Sequence, residues 1–184
     1  MTFDYFAYGS NMLIERLRNR CLNPMEIGCA YADNRIIEFS KLSKKDGSGK
    51  ATLRCQASHR TPGVLFRIPI TERKKLDCFE GAGKGGGYIR CDKYPVKRTD
   101  NNETVYVATY LATIPRPNLK PYDWYLALVI AGALKHGLDG SHLEMLRRVP
   151  YCPDTDCKRK ERREAMDVLD DAGFSDYRCL LGPA

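Results

Sequence analysis

The chain has 184 residues, which suits one domain with a sizeable core, or one domain with a short appendage, and is cramped for two full domains. Its 43% hydrophobic and 29% charged residues are typical of a globular chain and exclude wholesale disorder and a fibrous architecture. The formal net charge of +7 would attract polyanions. Much of that excess, however, lies in the run CKRKERR at 157–163, which Glu161 interrupts. We interpret this run as the solvated first turn of a C-terminal helix and expect no nucleic-acid partner.

The chain start, MTFDYFAY, lacks a basic leader region, and no window approaches the roughly 18 apolar residues of a membrane span. We therefore expect a cytoplasmic protein without a membrane partner. The eight cysteines show no CxxC spacing, which favours reduced thiols. Cys152 and Cys157 with His142 offer zinc-ligand atoms but no familiar spacing, and we predict neither a metal nor a cofactor.

In chain order, a strand is predicted over 3–8 and a helix over 11–20, with Asn11 available as its N-cap. A β-rich region follows, in which short strand-like segments are separated by polar or glycine-containing breaks; they lie at 26–32, 34–42, 50–57 and 62–69. A short helix is then predicted over 71–81, with Thr71 as its cap and Gly81 as its end.

The second half of the chain begins with two β-branched and aromatic runs, GYIRCDKYPVKR and ETVYVATYLAT, which TDNN separates as in a hairpin. An apolar and largely buried helix is predicted over 120–137, ending at Gly137. Further helices are expected near 139–148 and 159–172. The only plausible domain boundary lies near 150.

The octet YFAYGSNM at 5–12 joins the first strand to the first helix through small residues. Such a turn presents free backbone N–H groups that could bind a carboxylate or a phosphate. Simple capping of the helix by Ser10 or Asn11 explains the same residues. A hydrolytic triad of Ser10 with His59 or His136 lacks the G-x-S-x-G context that such a serine needs.

The stretch LDCFEGAGKGGGYIR at 76–90 places Glu80 at the end of the predicted short helix. A carboxylate there could act as a general base, or it could be an ordinary surface residue at a helix end. The following glycines form a flexible loop and not a P-loop, because no Ser or Thr follows Lys84. The aromatic residues of PYDWY at 121–125 are more often packing residues than ligand contacts.

An ordered series of motifs in this sequence resembles the gamma-glutamylcyclotransferase family in order and spacing. The series consists of the octet, GVLFRI at 63–68, LDCFEG, GGGY, the two long strands and WYLALVIAGALKHGL. The resemblance covers roughly residues 3–149. It implies an α+β fold, a small mixed β-barrel flanked by helices, with a catalytic domain over 1–150. The basic extension over 151–184 matches no motif; it could cover the pocket mouth, support a homodimer or cap the core.

The resemblance also implies roles for individual residues. One loop would hold the gamma-glutamyl half of the substrate, with its backbone amides toward a carboxylate: Tyr8, Gly9, Ser10 and Asn11. Glu80 would be the catalytic acid/base, and two tyrosines, Tyr88 and Tyr125, would line the pocket and contact the substrate.

The implied reaction converts a gamma-glutamyl amino acid, or a related gamma-glutamyl amide, to 5-oxoproline and a free amine. Its nucleophile is the substrate's own α-amine, which agrees with the absence of a serine, cysteine or metal motif. An alternative hypothesis is a non-catalytic module that binds a small carboxylate or a gamma-glutamyl metabolite.

Overall fold

The computed structural model describes residues 1–83, 85 and 87–183. Within these residues the chain forms five β-strands, namely β1 (Thr2–Ala7), β2 (Met25–Leu42), β3 (Gly49–Pro69), β4 (Tyr88–Arg98) and β5 (Thr104–Ala112). It also forms five α-helices, namely α1 (Ile14–Arg18), α2 (Arg73–Glu80), α3 (Asp123–Lys135), α4 (Gly140–Arg147) and α5 (Lys160–Asp171). Lys84 and Gly86 of the predicted glycine loop, and Ala184 of the extension, lie outside the described residues.

The strands close into a barrel in the order β1-β3-β2-β4-β5. Neighbouring strands are antiparallel except where β1 meets β5, which run parallel and pair at Tyr5 and Ala108. This mixed barrel with flanking helices confirms the predicted α+β class. The predicted hairpin is also confirmed, because β4 and β5 pair from Tyr88 opposite Ala112 to Lys97 opposite Thr104.

The middle of the barrel differs from the prediction of four short strands. The predicted breaks at 33 and at 58–61 lie inside two long strands, β2 and β3, whose pairing shifts register between Asp33 and Arg35. The breaks at 33 and 58–61 therefore belong to a β-bulge that bends the ribbon, and are not turns that end it. The break at 43–49 contains the turn that joins these two strands, as predicted.

Helix α3 is the apolar centre of the molecule, as predicted. Every residue from Asp123 to Ala133 is buried, and the helix contacts the turn Ser10–Met12 as well as α4 and α5. Gly132 permits the close approach of that turn, because a Cβ there would lie only 2.7 Å from Met12 Cβ. The helix thus fixes the backbone that follows β1.

The two predicted N-caps are wrong. Asn11 lies in a 3₁₀ turn, Ser10–Met12, and α1 begins only after Leu13; the Asn11 side chain donates to the Tyr5 hydroxyl and caps neither helix. Thr71 lies in a second 3₁₀ turn, which precedes α2, and makes no cap hydrogen bond. Gly81 ends α2 as predicted, in the left-handed conformation at φ 65° that favours glycine.

The C-terminal segment shares the hydrophobic core of the barrel and helices. On α5, Val168 and Leu169 are buried in the same cluster as α3. Two hydrogen bonds also join the segment to the start of α3: the Trp124 indole donates to Asp154 over 2.9 Å, and the Tyr177 hydroxyl donates to Asp123 over 3.0 Å. The division of the chain near 150 stays a prediction. None of the helices in the described residues is both long and apolar enough to span a bilayer.

Candidate active site

A cavity of about 800 Å³ opens where the end of β1, the end of α2, the β2–β3 hairpin and the first turn of α3 meet. All seven site residues that the sequence predicts line this cavity: Tyr8, Gly9, Ser10, Asn11, Glu80, Tyr88 and Tyr125. Residues that lie more than a hundred positions apart in the chain therefore share one concave surface. Such a cavity is large enough for a small molecule.

Glu80 is the last residue of α2, and its side chain is only 11% exposed. Its Oε1 accepts a hydrogen bond from Asn11 Nδ2 at 2.9 Å and a charged one from Arg20 Nη1 at 2.7 Å. Among the described residues, Oε2 accepts none. The carboxylate is thus fixed through one oxygen, while the other is available to a ligand.

The turn at Gly9–Asn11 presents unused backbone donors. Met12 N–H donates to the Gly9 carbonyl over 3.0 Å, but in the described part of the chain the N–H groups of Gly9, Ser10 and Asn11 have no acceptor. The 3₁₀ turn is three residues long, so these donors belong to a turn and not to the long helix that the sequence predicts. They can bind an anion directly.

Gly9 allows the turn to lie close against the opposite wall. A Cβ at Gly9 would stand 3.2 Å from Ala51 Cβ and 3.7 Å from the Tyr125 hydroxyl oxygen. The first distance is tighter than most Cβ contacts, so any side chain here would push the turn away from β3 and α3.

Two tyrosines are tied to one residue of β3. The Tyr88 hydroxyl donates to the Ala51 carbonyl over 2.6 Å, and the Tyr125 hydroxyl accepts from Ala51 N–H over 3.1 Å. Burial is the main cause that raises the pKa of both hydroxyls above the usual value. Both hydroxyls therefore remain neutral at ordinary pH. Tyr8, whose hydroxyl donates to the Tyr110 carbonyl, has its pKa raised by burial in the same way.

The sequence did not point to the basic residues of the cavity. Arg16 and Arg20 lie four residues apart around α1 and both line the cavity; Arg16 Nε donates to Ser10 Oγ over 3.0 Å. The i,i+4 spacing immediately after the octet was the signal that could have found them.

Lys50 lies deep in the cavity wall. Its Nζ pairs with Asp46 at 2.9 Å and stands 4.5 Å and 4.4 Å from the ring centroids of Trp124 and Tyr125. Burial lowers the pKa of the Lys50 amine to about 8, although Asp46 acts in the opposite direction. The aromatic residues at the start of α3 thus contact a cation as well as the core.

The remaining candidates lie elsewhere or are engaged otherwise. Tyr122 stacks on Trp124 and does not line the cavity. Ser10 Oγ accepts from Arg16, whereas His136 contacts the Met12 carbonyl and Glu26. His59 is exposed and contacts the Ala57 carbonyl, so neither histidine pairs with Ser10 among the described residues.

The C-terminal helix contributes to the cavity. Four residues of α5 line it: Lys160, Glu161, Glu164 and Val168. Two residues of the basic run, Lys160 and Glu161, therefore lie at the cavity.

The fold and the cavity define a class: a closed five-stranded mixed barrel whose cavity combines a fixed carboxylate, free backbone amides and basic side chains. Residues 60–146 match the model of the AIG2-like family. A gamma-glutamylcyclotransferase of Mus musculus is 30% identical over 157 residues, which cover 80% of this chain and 79% of the mouse protein. The chain belongs to the gamma-glutamylcyclotransferase family.

Two further comparisons agree with this membership. A gamma-glutamylcyclotransferase of Bos taurus is 27% identical over 179 residues, which cover 91% of this chain and 88% of the bovine protein. The solved structure of a gamma-glutamyl cyclotransferase superposes with a TM-score of 0.81 at 23% identity, covering 91% of this chain and 99% of that one. The structural likeness shows that the fold is shared.

Proposed function

We propose that this protein is a gamma-glutamylcyclotransferase that converts a gamma-glutamyl amino acid, or a related gamma-glutamyl amide, to 5-oxoproline and a free amine, with Glu80 as its general acid/base. The observation that carries the proposal is the position of Glu80, whose carboxylate shares one cavity with the free amides of the Gly9–Asn11 turn. The family relationship supports the reaction class.

The turn and α1 would bind the glutamyl half of the substrate. The amides of Gly9, Ser10 and Asn11 are free donors for its α-carboxylate, and the Arg16 guanidinium at Ser10 supplies a positive charge. Buried Asn11 Oδ1 has no partner among the described residues and is an acceptor for the α-ammonium.

The chemistry then requires only positioning and proton transfer. Glu80 Oε2 would take a proton from the α-ammonium, and the freed amine would attack the γ-carbonyl carbon, forming the new C–N bond of a five-membered ring. The original amide C–N bond breaks as Glu80 returns the proton to the leaving amine, and the second proton that the ring nitrogen loses is taken up by the released amine, which departs as an ammonium. Orienting such an intramolecular reaction contributes up to roughly 7 to 11 kcal/mol, and the acid/base roughly 10² to 10⁴ in rate.

The substrate supplies the nucleophile, so the reaction requires no residue beyond those that bind and transfer protons. We extend the proposal to the predicted organisation of the chain. The catalytic unit would comprise residues 1–150 together with α5 of the 151–184 extension, because α5 forms part of the cavity wall. A cytoplasmic location and a homodimer remain predictions.

The test is an assay of the purified protein with a panel of gamma-glutamyl amino acids and amides, scored for 5-oxoproline. The Glu80→Gln variant should lose about 100-fold or more in kcat while remaining folded. Glu144→Gln, which changes an exposed carboxylate outside the cavity, is the matched control and should retain full activity. Full turnover by the Glu80→Gln variant would eliminate the proposed acid/base.

The alternative, a binding module without turnover, has its own outcome in the same experiment. It predicts saturable binding of a gamma-glutamyl amide by calorimetry with no 5-oxoproline formed by the unmodified protein.

A further inference from the structure

The β2–β3 hairpin brings a group of lysines to the cavity. The binding of a glutamyl group does not require these lysines. Lys41, Lys44 and Lys45 line the cavity beside Tyr88 and Gly85, and we call them the hairpin lysines. None of them forms an ion pair with another described residue. Lys44 Nζ donates to the neutral Gly85 carbonyl at 2.5 Å, so its charge is not balanced.

The acidic residue of the hairpin tip cannot balance these charges. Asp46 Oδ1 accepts from the Ser48 N–H and hydroxyl at 3.0 Å and 2.8 Å, and its Oδ2 accepts from Lys50 at 2.9 Å. With both oxygens engaged, Asp46 is committed to Lys50 and the turn. Within the hairpin, therefore, the charges of the three hairpin lysines are not balanced.

Lys41 is the member of this group that reaches furthest into the protein. It is half-buried, and its Nζ stands 5.0 Å from the centroid of the Tyr88 ring. Burial lowers the pKa of its amine, although Glu80 and Asp46 act in the opposite direction. A partly desolvated cation without a counter-ion gains most from a ligand that supplies one.

The hairpin lysines differ from the residues proposed to bind the glutamyl half. The glutamyl carboxylate has its donors in the Gly9–Asn11 turn and Arg16, and the scissile bond must lie at Glu80. The hairpin lysines line the cavity together with Tyr88, and the amine half is the part of the substrate left to contact them. If the leaving amine is an ordinary amino acid, its α-carboxylate brings one negative charge to these lysines. The three hairpin lysines could bind more than one negative charge.

We propose that the amine half of the substrate carries two negative charges, as in an acidic amino acid, and that Lys41 is the residue that selects for the second one. This inference rests on the proposed function and narrows its substrate. The β2–β3 hairpin would then determine substrate specificity. Lys41 would contact the second anionic group of the leaving amine directly.

A pair of isosteric dipeptides tests this specificity. Gamma-glutamyl-glutamate and gamma-glutamyl-glutamine differ in one charge on the amine half, and kcat/KM for each is measured as 5-oxoproline formed at low ionic strength. The unmodified protein should prefer the glutamate dipeptide about tenfold, as expected for one charged contact in a partly buried site. Added salt should reduce this preference.

The Lys41→Gln variant should lose most of this preference, with little change toward the glutamine dipeptide. Lys93→Gln removes the same charge from an exposed position outside the cavity and should keep the preference intact. Calorimetric binding of both dipeptides to Glu80→Gln protein measures the same ratio without turnover, and adding Lys41→Gln to that protein should abolish it.

Equal kcat/KM values for the two dipeptides, or a Lys41→Gln variant that lowers both values alike, would overturn the inference. Turnover of uncharged gamma-glutamyl amides with neither dipeptide accepted would overturn it too, while leaving the proposed function standing. The proposed function fails separately, when no gamma-glutamyl compound yields 5-oxoproline.

Discussion

Asn11 Nδ2 lies 2.9 Å from Glu80 Oε1, and the same amide nitrogen lies 3.0 Å from the Tyr5 hydroxyl. One buried amide thus joins the turn after β1 to the last residue of α2. Because Asn11 is only 5% exposed, water cannot easily replace these contacts. The orientation of the candidate acid/base depends on a residue that a local interpretation of the sequence made a helix cap.

We expect Asn11→Ala to lower kcat/KM about 10- to 100-fold, because a hydrogen bond to a charged group typically contributes about 1.5 to 3 kcal/mol. The measurement is 5-oxoproline formation at several substrate concentrations. Thermal unfolding is the control, since a general loss of structure would lower the melting temperature as well. A folded variant with unchanged kcat/KM would show that Arg20 alone orients Glu80.

Arg16 should act mainly on substrate affinity. Burial, and then Arg20 nearby, lower the pKa of its guanidinium to about 9, which still leaves it charged at neutral pH. Arg16→Met should therefore raise KM roughly 10- to 100-fold with a smaller effect on kcat, because the variant lacks the charge that we propose binds the glutamyl carboxylate. The measurement is a Michaelis profile with one gamma-glutamyl dipeptide.

Arg18→Met is the matched control for that experiment, because Arg18 is exposed on the same helix and does not line the cavity. It should leave KM within about twofold of the unmodified protein. Arg16→Lys should restore only part of the affinity, since lysine lacks the forked donors of arginine. Equal KM values for the Arg16→Met and Arg18→Met variants would argue against an Arg16 contact with substrate.

The sequence predicted those parts of the molecule whose signals are local or follow a fixed order. Helix α3 was evident from its continuous apolar run, and the β4–β5 hairpin from two β-branched runs around TDNN. The seven site residues followed from a family resemblance carried by an ordered series, and the structure gathers all of them around one cavity.

Features that arise from contacts through space were not predictable in this way. The bulges of β2 and β3 have the same composition as turns, so only the partner strand decides between them. Asn11 has a suitable cap side chain, but its bond to Glu80, 69 positions away, fixes it elsewhere. The contribution of α5 to the cavity likewise depends on tertiary packing.

Gly132→Ala should loosen the turn that carries the free amides. The added Cβ would lie 2.7 Å from Met12 Cβ and 3.2 Å from Leu13 N, so the turn or α3 must move. Such overpacking typically costs about 1 to 3 kcal/mol, measurable as the free energy of unfolding in urea, and kcat/KM should fall with it. At Gly140 a Cβ would meet nothing within 4 Å, so Gly140→Ala is the control that should cost nothing. Equal stability of the two variants would contradict this packing.

His142 should make the stability of the protein depend on acid pH. The side chain is buried on α4, and its Nε2 has no hydrogen-bond partner among the described residues. Burial lowers the pKa of His142 from 6.5 to about 4, with Asp139 acting weakly in the opposite direction. The unfolded chain therefore binds a proton first as pH falls, so the stabilising contribution present above pH 6.5 is lost progressively toward pH 4.

The measurement is the free energy of unfolding in urea at pH 7 and pH 4.5 for the unmodified protein and for His142→Gln. Other groups titrate equally in both proteins, so the difference between their pH dependences isolates His142. The unmodified protein should lose about 2 to 3 kcal/mol more than the variant over this interval. Parallel pH dependences would instead mean that His142 accepts its proton in the folded protein as readily as in the unfolded chain.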